Sequence, residues 1–245
     1  MIDAGCASAV MGNHELNAIQ FHSIDPTSGN PLREHSVKNL DQHQTFLREF
    51  PYGSPQARDA IAWMKTLPLF LEYPWFRIVH ACWHEAGIES LKAATATSVS
   101  NDEFFIRASR KGDPLRHLVE TATKGPEVSL PDGLTIADKD GHLRSEVRLR
   151  WWARDSKTWP ELAISVPNED DLPVSPPPCD RLLDFYPAEA LSVFVGHYWL
   201  TGTPVLRAAN VLCLDYSAGT DGPLVSYRVE DGQVDLELER LTVHQ

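Results

Sequence analysis

Three short apolar runs in this chain each end at a side chain that can bind a metal ion. The runs and the residues that follow them are 6–10 before Gly12-Asn13, 75–79 before His80, and 191–195 before Gly196-His197. A short apolar run that stops at Gly or at a polar residue predicts a buried strand that ends in a turn. In α/β proteins, ligands bind at the carboxyl edge of the sheet. We therefore expect Asn13, His80 and His197 to converge at such an edge.

The three donor types indicate the class of ion. An Asn carbonyl oxygen with two imidazoles suits a borderline divalent ion such as Mn, Fe, Zn or Co better than Ca. Taken singly, a histidine at a strand end is more often an ordinary hydrogen-bonded residue. We favour the metal interpretation because three such ends recur in one chain.

His14 and Glu15 follow Asn13 at the predicted start of a helix. An imidazole next to a carboxylate makes His14 a candidate proton donor with an orienting partner. For Glu15 we favour an electrostatic role at the helix start over metal ligation, because negative charge is favourable at a helix N-terminus.

Composition narrows the classes of partner. The 245 residues are enough for one large domain, and the formal net charge of −12 argues against a nucleic-acid or anionic-membrane surface. A phosphate substrate would then need a metal or local arginines to reverse the field. Since no stretch is apolar enough for a membrane span or a secretion signal, we expect a cytoplasmic protein.

The order of secondary structure can also be predicted. Helices are expected at 16–21, 37–49 and 56–66, the last capped by Ser54 with Pro55 in its first turn, and from 84 to 123 with breaks near Ser98 and Gly112. Strands are expected at 6–10, 69–73, 75–79, 191–195, 211–215, 224–229 and 233–238, with turns at Pro74 and 230–232. The four cysteines lack Cys-x-x-Cys spacing, which favours structural thiols.

The stretch from about 93 to 180 is predicted to be an elaboration or cap that lies over the sheet edge at which Asn13, His80 and His197 are expected. Its segment 144–154 holds the main concentration of arginines in an acidic chain. Arg150 and Arg154 are our candidates for substrate binding, because a planar guanidinium can clamp a phosphate, and a Trp of this segment could stack on a base. The alternative is an amphipathic strand whose Arg148 and Arg150 face water.

With these motifs in order, the chain resembles the calcineurin-like metallophosphoesterases. That family combines Asp-x-His, Gly-Asp-x-x-Asp-Arg, Gly-Asn-His-Glu/Asp, a lone His after a strand, and Gly-His. The last three are matched here by residues 12–15, His80 and Gly196-His197. The first two have no counterpart before Gly12, so we expect an N-terminally incomplete form. Trp199 stands where the Gly-His-x-His branch of the family has its second His. The chain therefore looks more like the branch of protein serine/threonine phosphatases and bacterial diadenosine tetraphosphatases.

The resemblance implies a fold and a chemistry for residues 1–245 as a single domain. The implied fold is an α/β sandwich of strands flanked by helices, without its first strand-helix units. The implied function is hydrolysis of phosphate esters or nucleotide polyphosphates through a metal-bound hydroxide. Two metals act in the complete family fold, and at most one site, formed by Asn13, His80 and His197, is expected here, with His14 as the catalytic proton donor.

The implied substrate is a phosphorylated small molecule, a nucleotide or a phosphoprotein. Because the ligands of the first metal belong to the unmatched motifs, we expect impaired activity. The alternative is an inactive remnant that at most binds a metal or a partner protein.

Overall fold

The computed structural model describes residues 1–2, 4–95, 102–137, 141, 143–177, 184–233 and 235–244. Within these ranges the chain is a mixed α/β protein, as predicted, and the finer sandwich architecture stays a prediction. Its helices are α1 (Asn13–His22), α2 (Val37–Glu49), α3 (Pro55–Met64), α4 (Glu85–Thr95), α5 (Asp102–Ser109), α6 (Pro114–Lys124) and α7 (Trp159–Leu162). None of the helices in these ranges combines the length and the apolar character that crossing a bilayer requires.

The strands form four sheets within the described ranges. They are β1 (Phe70–Glu72), β2 (Phe76–Val79), β3 (Glu127–Ser129), β4 (Ile136–Ala137), β5 (Leu143–Arg144), β6 (Glu146–Leu149), β7 (Ala163–Ile164), β8 (Ser192–Val195), β9 (Val211–Cys213), β10 (Leu224–Tyr227) and β11 (Leu241–His244). Short 3-10 turns occur at Pro131–Gly133, Glu169–Asp171 and Leu238–Arg240.

The largest sheet sets the position of the candidate site. Its strands lie in the order β1-β2-β8-β9, with β2, β8 and β9 parallel and β1 antiparallel to β2. Every residue of β8 and β9 is buried, as in strands that are covered on both faces. Because β2 and β8 run in the same direction, the residues that follow them lie at one edge of the sheet.

Helix α1 leads away from this edge and is held by packing. It contacts α3, α5 and α6. Its buried Leu16 and Ile19 share one hydrophobic core with Val79 of β2 and Val195 of β8. The first residues of α1 are therefore fixed relative to the strand ends.

The predicted helices and the predicted hairpin are largely confirmed. Helix α2 spans the predicted 37–49, and α3 begins at Pro55 with the Ser54 hydroxyl accepting a hydrogen bond from the Ala57 N–H. Strands β1 and β2 form the expected hairpin around Pro74. The break near Gly112 separates α5 from α6, whereas the predicted break near Ser98 lies outside the described residues.

The predicted strand at 6–10 is wrong. These residues belong to no strand of the structure, and Cys6 and Ser8 are exposed. The small side chains of this run bury little apolar area, which removes the main reason for a sheet to incorporate it. A hydrogen bond of 2.7 Å from the Met11 N–H to the Pro68 carbonyl instead brings the chain to the sheet edge.

The predicted final strand at 233–238 is also wrong. The strand that pairs with β10 is β11, in antiparallel register from Leu224↔His244 to Tyr227↔Leu241. The turn at 230–232 is present, but the Tyr227 hydroxyl then accepts a hydrogen bond of 2.9 Å from the Glu237 N–H, and a 3-10 turn follows. The alternation of apolar and polar residues in the sequence cannot reveal this side-chain contact. The strand therefore begins later in the chain, at Leu241. Residue 234 of this segment is outside the described residues.

The region predicted to be an elaboration contains a sheet and a small core of its own. Strands β3, β6 and β7 form an antiparallel sheet in the order β3-β6-β7. Its core includes Val147, Leu149, Trp159 and Leu162. The division of the chain into one domain with a cap stays a prediction.

Two tryptophans of the arginine-rich segment are structural residues. Trp151 and Trp152 are buried, so stacking of either on a base is not supported. The Trp151 indole N–H lies 3.1 Å from the Ala81 carbonyl and 2.8 Å from the Tyr198 hydroxyl, and that hydroxyl donates to the same carbonyl at 2.9 Å. Trp151 therefore joins the residue after His80 to the residue after His197.

Cys82 and Cys213 fit the predicted structural role, whereas Cys6 does not. Cys82 and Cys213 are buried free thiols and Cys6 is an exposed one, while Cys179 lies outside the described residues. Burial raises the pKa of the Cys82 thiol and raises that of Cys213 to about 12. Thiols with raised pKa values are poor nucleophiles at neutral pH.

Three histidines surround Phe21 and form what we call the histidine cluster: His22, His35 and His43. The His22 and His43 Nε2 atoms are 3.1 Å apart, and the His35 ring stacks on Phe21 with centroids 3.8 Å apart. Burial, followed by the charge of His22, lowers the pKa of His43 to about 4. Burial also lowers the pKa of His22.

We predict that the histidine cluster weakens the fold in mild acid. Between pH 6.5 and about 4, unfolded His43 binds a proton that folded His43 does not bind, so stability falls as the pH falls through this window. The effect at pH 5 is about 1 kcal/mol, a figure reduced because the ring is partly exposed to solvent, which screens its charge. Thermal melts at pH 7 and pH 5 measure it.

The matched variant is His43→Phe, which retains a ring to stack on Phe46. The drop in melting temperature between pH 7 and pH 5 should be smaller in this variant. An equal drop in both proteins would contradict the assignment to His43.

Candidate metal centre

Two imidazoles reach the same sheet edge because their strands are parallel. His80 follows β2 directly, and Gly196-His197 follows β8. The Gly196 N–H donates a hydrogen bond of 2.9 Å to the His80 carbonyl, which ties the two strand ends together. At these two positions a buried strand is followed by a histidine at the sheet edge, as predicted.

Asn13 lies at this edge as the first residue of helix α1. Its neighbour Gly12 is the N-cap, with extended backbone at φ −98° and ψ 179°. A Cβ on Gly12 would lie 2.7 Å from His80 Cε1, so only glycine allows this approach. The Gly12 N–H donates a hydrogen bond of 2.9 Å to Glu15 Oε2, which fits the helix-start role expected for Glu15.

The side chains of Asn13, His80 and His197 meet. Asn13 Oδ1 lies 3.0 Å from His80 Nε2 and 3.2 Å from His197 Nδ1. The centroids of the two imidazole rings are 5.2 Å apart. The structure thus brings together the three residues that the strand ends singled out, and we call this group the candidate metal centre.

The distances in the candidate metal centre suit a shared ion. Two atoms bound ~2.1 Å from one ion, at an angle of roughly 90–110°, lie about 3.0–3.4 Å apart. The distances from Asn13 Oδ1 to the two imidazole nitrogens, 3.0 and 3.2 Å, fall in this range. The same distances also allow each imidazole to donate a hydrogen bond to the Asn oxygen.

Burial keeps both imidazoles neutral, which is the form that binds cations. Burial lowers the pKa of His80, while the charges of Glu15 and Asp215 act in the opposite direction. Burial and then the charge of Arg148 lower the pKa of His197 to about 2. His197 Nε2 is buried, and none of the described residues forms a hydrogen bond with it.

The backbone at His197 is strained. Its φ of 70° and the φ of 51° at Trp199 lie in the left-handed region, which costs roughly 1–2 kcal/mol for each residue with a side chain. Strain of this kind persists where the surrounding structure enforces it and is often found at functional sites.

His14, the expected proton donor, is exposed at the start of α1. It directly follows Asn13 in the chain, and its charge acts on both His80 and His197. Within the described ranges, no carboxylate forms a hydrogen bond or an ion pair with its ring, although the resemblance assigns it such a support.

The expected substrate arginines form no described contact with the candidate metal centre. Arg150 Nη1 donates to the Glu161 carbonyl at 3.3 Å, and Arg154 is exposed. Within the described part of the chain, neither arginine has a hydrogen bond or ion pair with Asn13, His80 or His197. Their role in substrate binding stays a prediction.

Arg148 is the positively charged residue that sequence reasoning missed. Its charge has the largest electrostatic effect on His197, and Lys124 adds to that effect. Its Nε is buried and has no hydrogen-bond partner in the described part of the chain, and its Nη2 lies 3.3 Å from Glu127 Oε1. A Cβ on Gly125 would lie 3.6 Å from Arg148 Cδ and 2.9 Å from the Tyr198 hydroxyl, so this glycine lets the arginine pack beside Tyr198. The sequence signal was only the alternation of strand β6, which also fits a solvent-facing arginine.

Across the ranges that the structure describes, no three His, Cys, Asp or Glu side chains are grouped so that they could hold a metal ion. The candidate metal centre has two imidazoles and an amide, so its third donor is of another type. Neither a protein-family model nor a curated protein matches the chain. The function is therefore inferred from the geometry of the centre.

We predict that Gly12→Ala disrupts the candidate metal centre. The backbone of Gly12 is acceptable for alanine, but the added methyl group must displace the His80 ring. Overpacking of this kind costs about 1–3 kcal/mol of stability. Calorimetric titration with Co²⁺ should show weakened binding.

The control for this variant is Gly219→Ala, because a Cβ at Gly219 meets no atom within 4 Å. It should retain both stability and Co²⁺ binding. Unchanged Co²⁺ binding in Gly12→Ala would show that the close approach to His80 is not needed.

We also predict that His197→Asn loses metal binding without loss of stability. Asparagine tolerates the left-handed backbone at φ 70°, and the buried unpartnered Nε2 is removed. Stability should be unchanged or higher by about 1 kcal/mol. The comparison variant is His80→Asn, at a position where φ is not positive. It should lose both metal binding and stability. A large loss of stability in His197→Asn would contradict the strain argument.

Proposed function

We propose that this protein is a metal-dependent phosphoesterase of the calcineurin-like type, with Asn13, His80 and His197 binding one divalent metal ion. The observation that carries the proposal is the position of Asn13 Oδ1, 3.0 Å and 3.2 Å from nitrogens of His80 and His197. These partners are 67 and 184 residues away in the chain. The order and spacing of the three motifs supply the link to this family.

The donor set supports Mn, Fe, Zn or Co as the metal. Two neutral imidazoles and an amide oxygen suit borderline divalent ions. When bound, such an ion supplies Lewis-acid polarisation of a phosphoryl oxygen. The negative charges of Glu15 and Asp215 near His80 favour a cation at the centre.

Chain residues around the centre support a phosphorylated substrate. Arg148 and Lys124 provide positive charge on the His197 side, in a chain with a net charge of −12. In this proposal they orient the phosphoryl group, and Arg150 and Arg154 contact more distant parts of the substrate. The exposed His14 holds the proton that the leaving oxygen receives. Small molecules, nucleotides and phosphoproteins all remain within this substrate class.

The sheet arrangement is compatible with the proposed sandwich fold. Phe194 of β8 contacts Tyr227 of β10, with ring centroids 5.2 Å apart. The β10–β11 hairpin therefore packs against the sheet that carries the candidate metal centre. In the proposal this hairpin belongs to the second layer of the sandwich.

A second candidate function is metal or partner binding without catalysis. Two observations within the described residues favour it: His14 has no supporting carboxylate, and no cluster of three His, Cys, Asp or Glu residues supplies a second metal site. In-line phosphoryl transfer in two-metal enzymes needs both ions. Slow turnover is therefore expected even if the first proposal is correct.

We predict Mn²⁺-dependent but slow hydrolysis of p-nitrophenyl phosphate. His14→Ala should lower the rate about 100-fold or more, because general acid catalysis typically contributes at least this much. The same variant should bind Mn²⁺ as tightly as the unaltered chain, since His14 is not a ligand. Steady-state rates and calorimetric titration measure the two properties.

The control is His117→Ala, which changes an exposed histidine of α6. It should retain the rate and the Mn²⁺ affinity. Metal binding without turnover would select the binding function over the enzyme. Absence of metal binding, or binding that survives His80→Ala, would overturn the enzyme and the metal-binding function and leave partner binding alone.

A further inference from the structure

We infer that Asp215 is a positioning residue for His197, an inference that rests on the proposed metal centre. Asp215 follows β9, the strand that neighbours β8. Its Oδ2 accepts a hydrogen bond of 3.0 Å from the Trp199 N–H, and its backbone carbonyl accepts one of 3.0 Å from the Leu200 N–H. Both donors belong to the turn that carries His197.

This turn needs external support because its backbone is strained. His197 and Trp199 have φ values of 70° and 51°. Residues with side chains stay in this region only where neighbouring groups hold them. On one side the turn is held by the bond from Gly196 to the His80 carbonyl, and on the other side by the two bonds to Asp215. Without Asp215 the turn could relax to negative φ and carry the imidazole away from Asn13.

Both carboxylate oxygens of Asp215 are used. While Oδ2 holds the Trp199 N–H, Oδ1 accepts a hydrogen bond of 3.0 Å from the Ser217 N–H. The Ser217 hydroxyl in turn donates to the Leu200 carbonyl at 3.2 Å. Asp215 therefore joins the turn after β8 to the turn after β9. An asparagine has one oxygen and cannot accept from both N–H groups in this way.

Charge is the competing explanation, since Asp215 also acts electrostatically on His80. Two variants separate the explanations. Asp215→Asn removes the charge and one acceptor, whereas Asp215→Glu keeps the charge but moves both oxygens along the side chain. A positioning role predicts that both variants are impaired, and a purely electrostatic role predicts that Asp215→Glu is not.

The test is a Co²⁺ titration followed by visible absorption, because the intensity and position of the cobalt bands report ligand geometry. Both variants should bind Co²⁺ about 10–100-fold more weakly than the unaltered chain, with altered bands, as is typical when a residue that orients a ligand is changed. Asp113→Asn is the matched control, because Asp113 also accepts a backbone N–H, from Leu115 at 2.9 Å, but at the start of α6. It should keep the affinity and the spectrum of the unaltered chain.

Circular dichroism melts establish that each variant is folded, and if Asp215→Asn does not fold, Asp215→Glu alone decides. Co²⁺ binding of unaltered strength in Asp215→Glu would overturn the positioning role. Absence of Co²⁺ binding by the unaltered chain would overturn the proposed metal centre, and this inference with it. Loss in both Asp215 variants but not in Asp113→Asn supports the inference.

Discussion

The contact of one amide oxygen with two imidazoles connects the main parts of this structure. Asn13 Oδ1 lies 3.0 Å from His80 Nε2 and 3.2 Å from His197 Nδ1. The contact requires parallel β2 and β8, a helix α1 anchored in the common core, and a glycine at position 12 against which the His80 ring lies. The meeting of the three side chains therefore depends on the parallel strands, the anchored helix and the glycine together.

The arrangement is costly for the stability of the fold. His197 has a left-handed backbone and a buried Nε2 that no described residue hydrogen-bonds, and burial lowers its pKa to about 2. None of these features improves packing, and each would be relieved by a residue such as glycine or asparagine. Departures from the most stable choice are expected where a residue is kept for its chemistry. The cost falls on the imidazole that the proposed function needs.

Local patterns predicted most elements, and tertiary contacts account for the failures. Capping at Ser54 and the helical pattern of 37–49 depend on neighbouring residues only, so both could be predicted from the sequence. The strand at 6–10 failed because apolar character alone does not supply a pairing partner. Strand 233–238 failed because the hydroxyl of Tyr227 captures the Glu237 N–H across the turn. The strand ends before His80 and before Gly196-His197 were predictable. Arg148 was not, since alternation cannot tell a solvent-facing arginine from one beside a site.

Negative side chains act on one imidazole of the candidate metal centre and positive side chains act on the other. This division suits both a cation and an anion. Glu15 and Asp215 act on His80, while Arg148 and Lys124 act on His197. A net charge of −12 repels a phosphorylated ligand at long range, but salt screens distant charges and leaves the nearest ones dominant. Trp151 joins the segment after strand β6 to Ala81 and Tyr198, which follow the two imidazoles in the chain. Strand β6 carries Arg148, whose positive charge acts on His197.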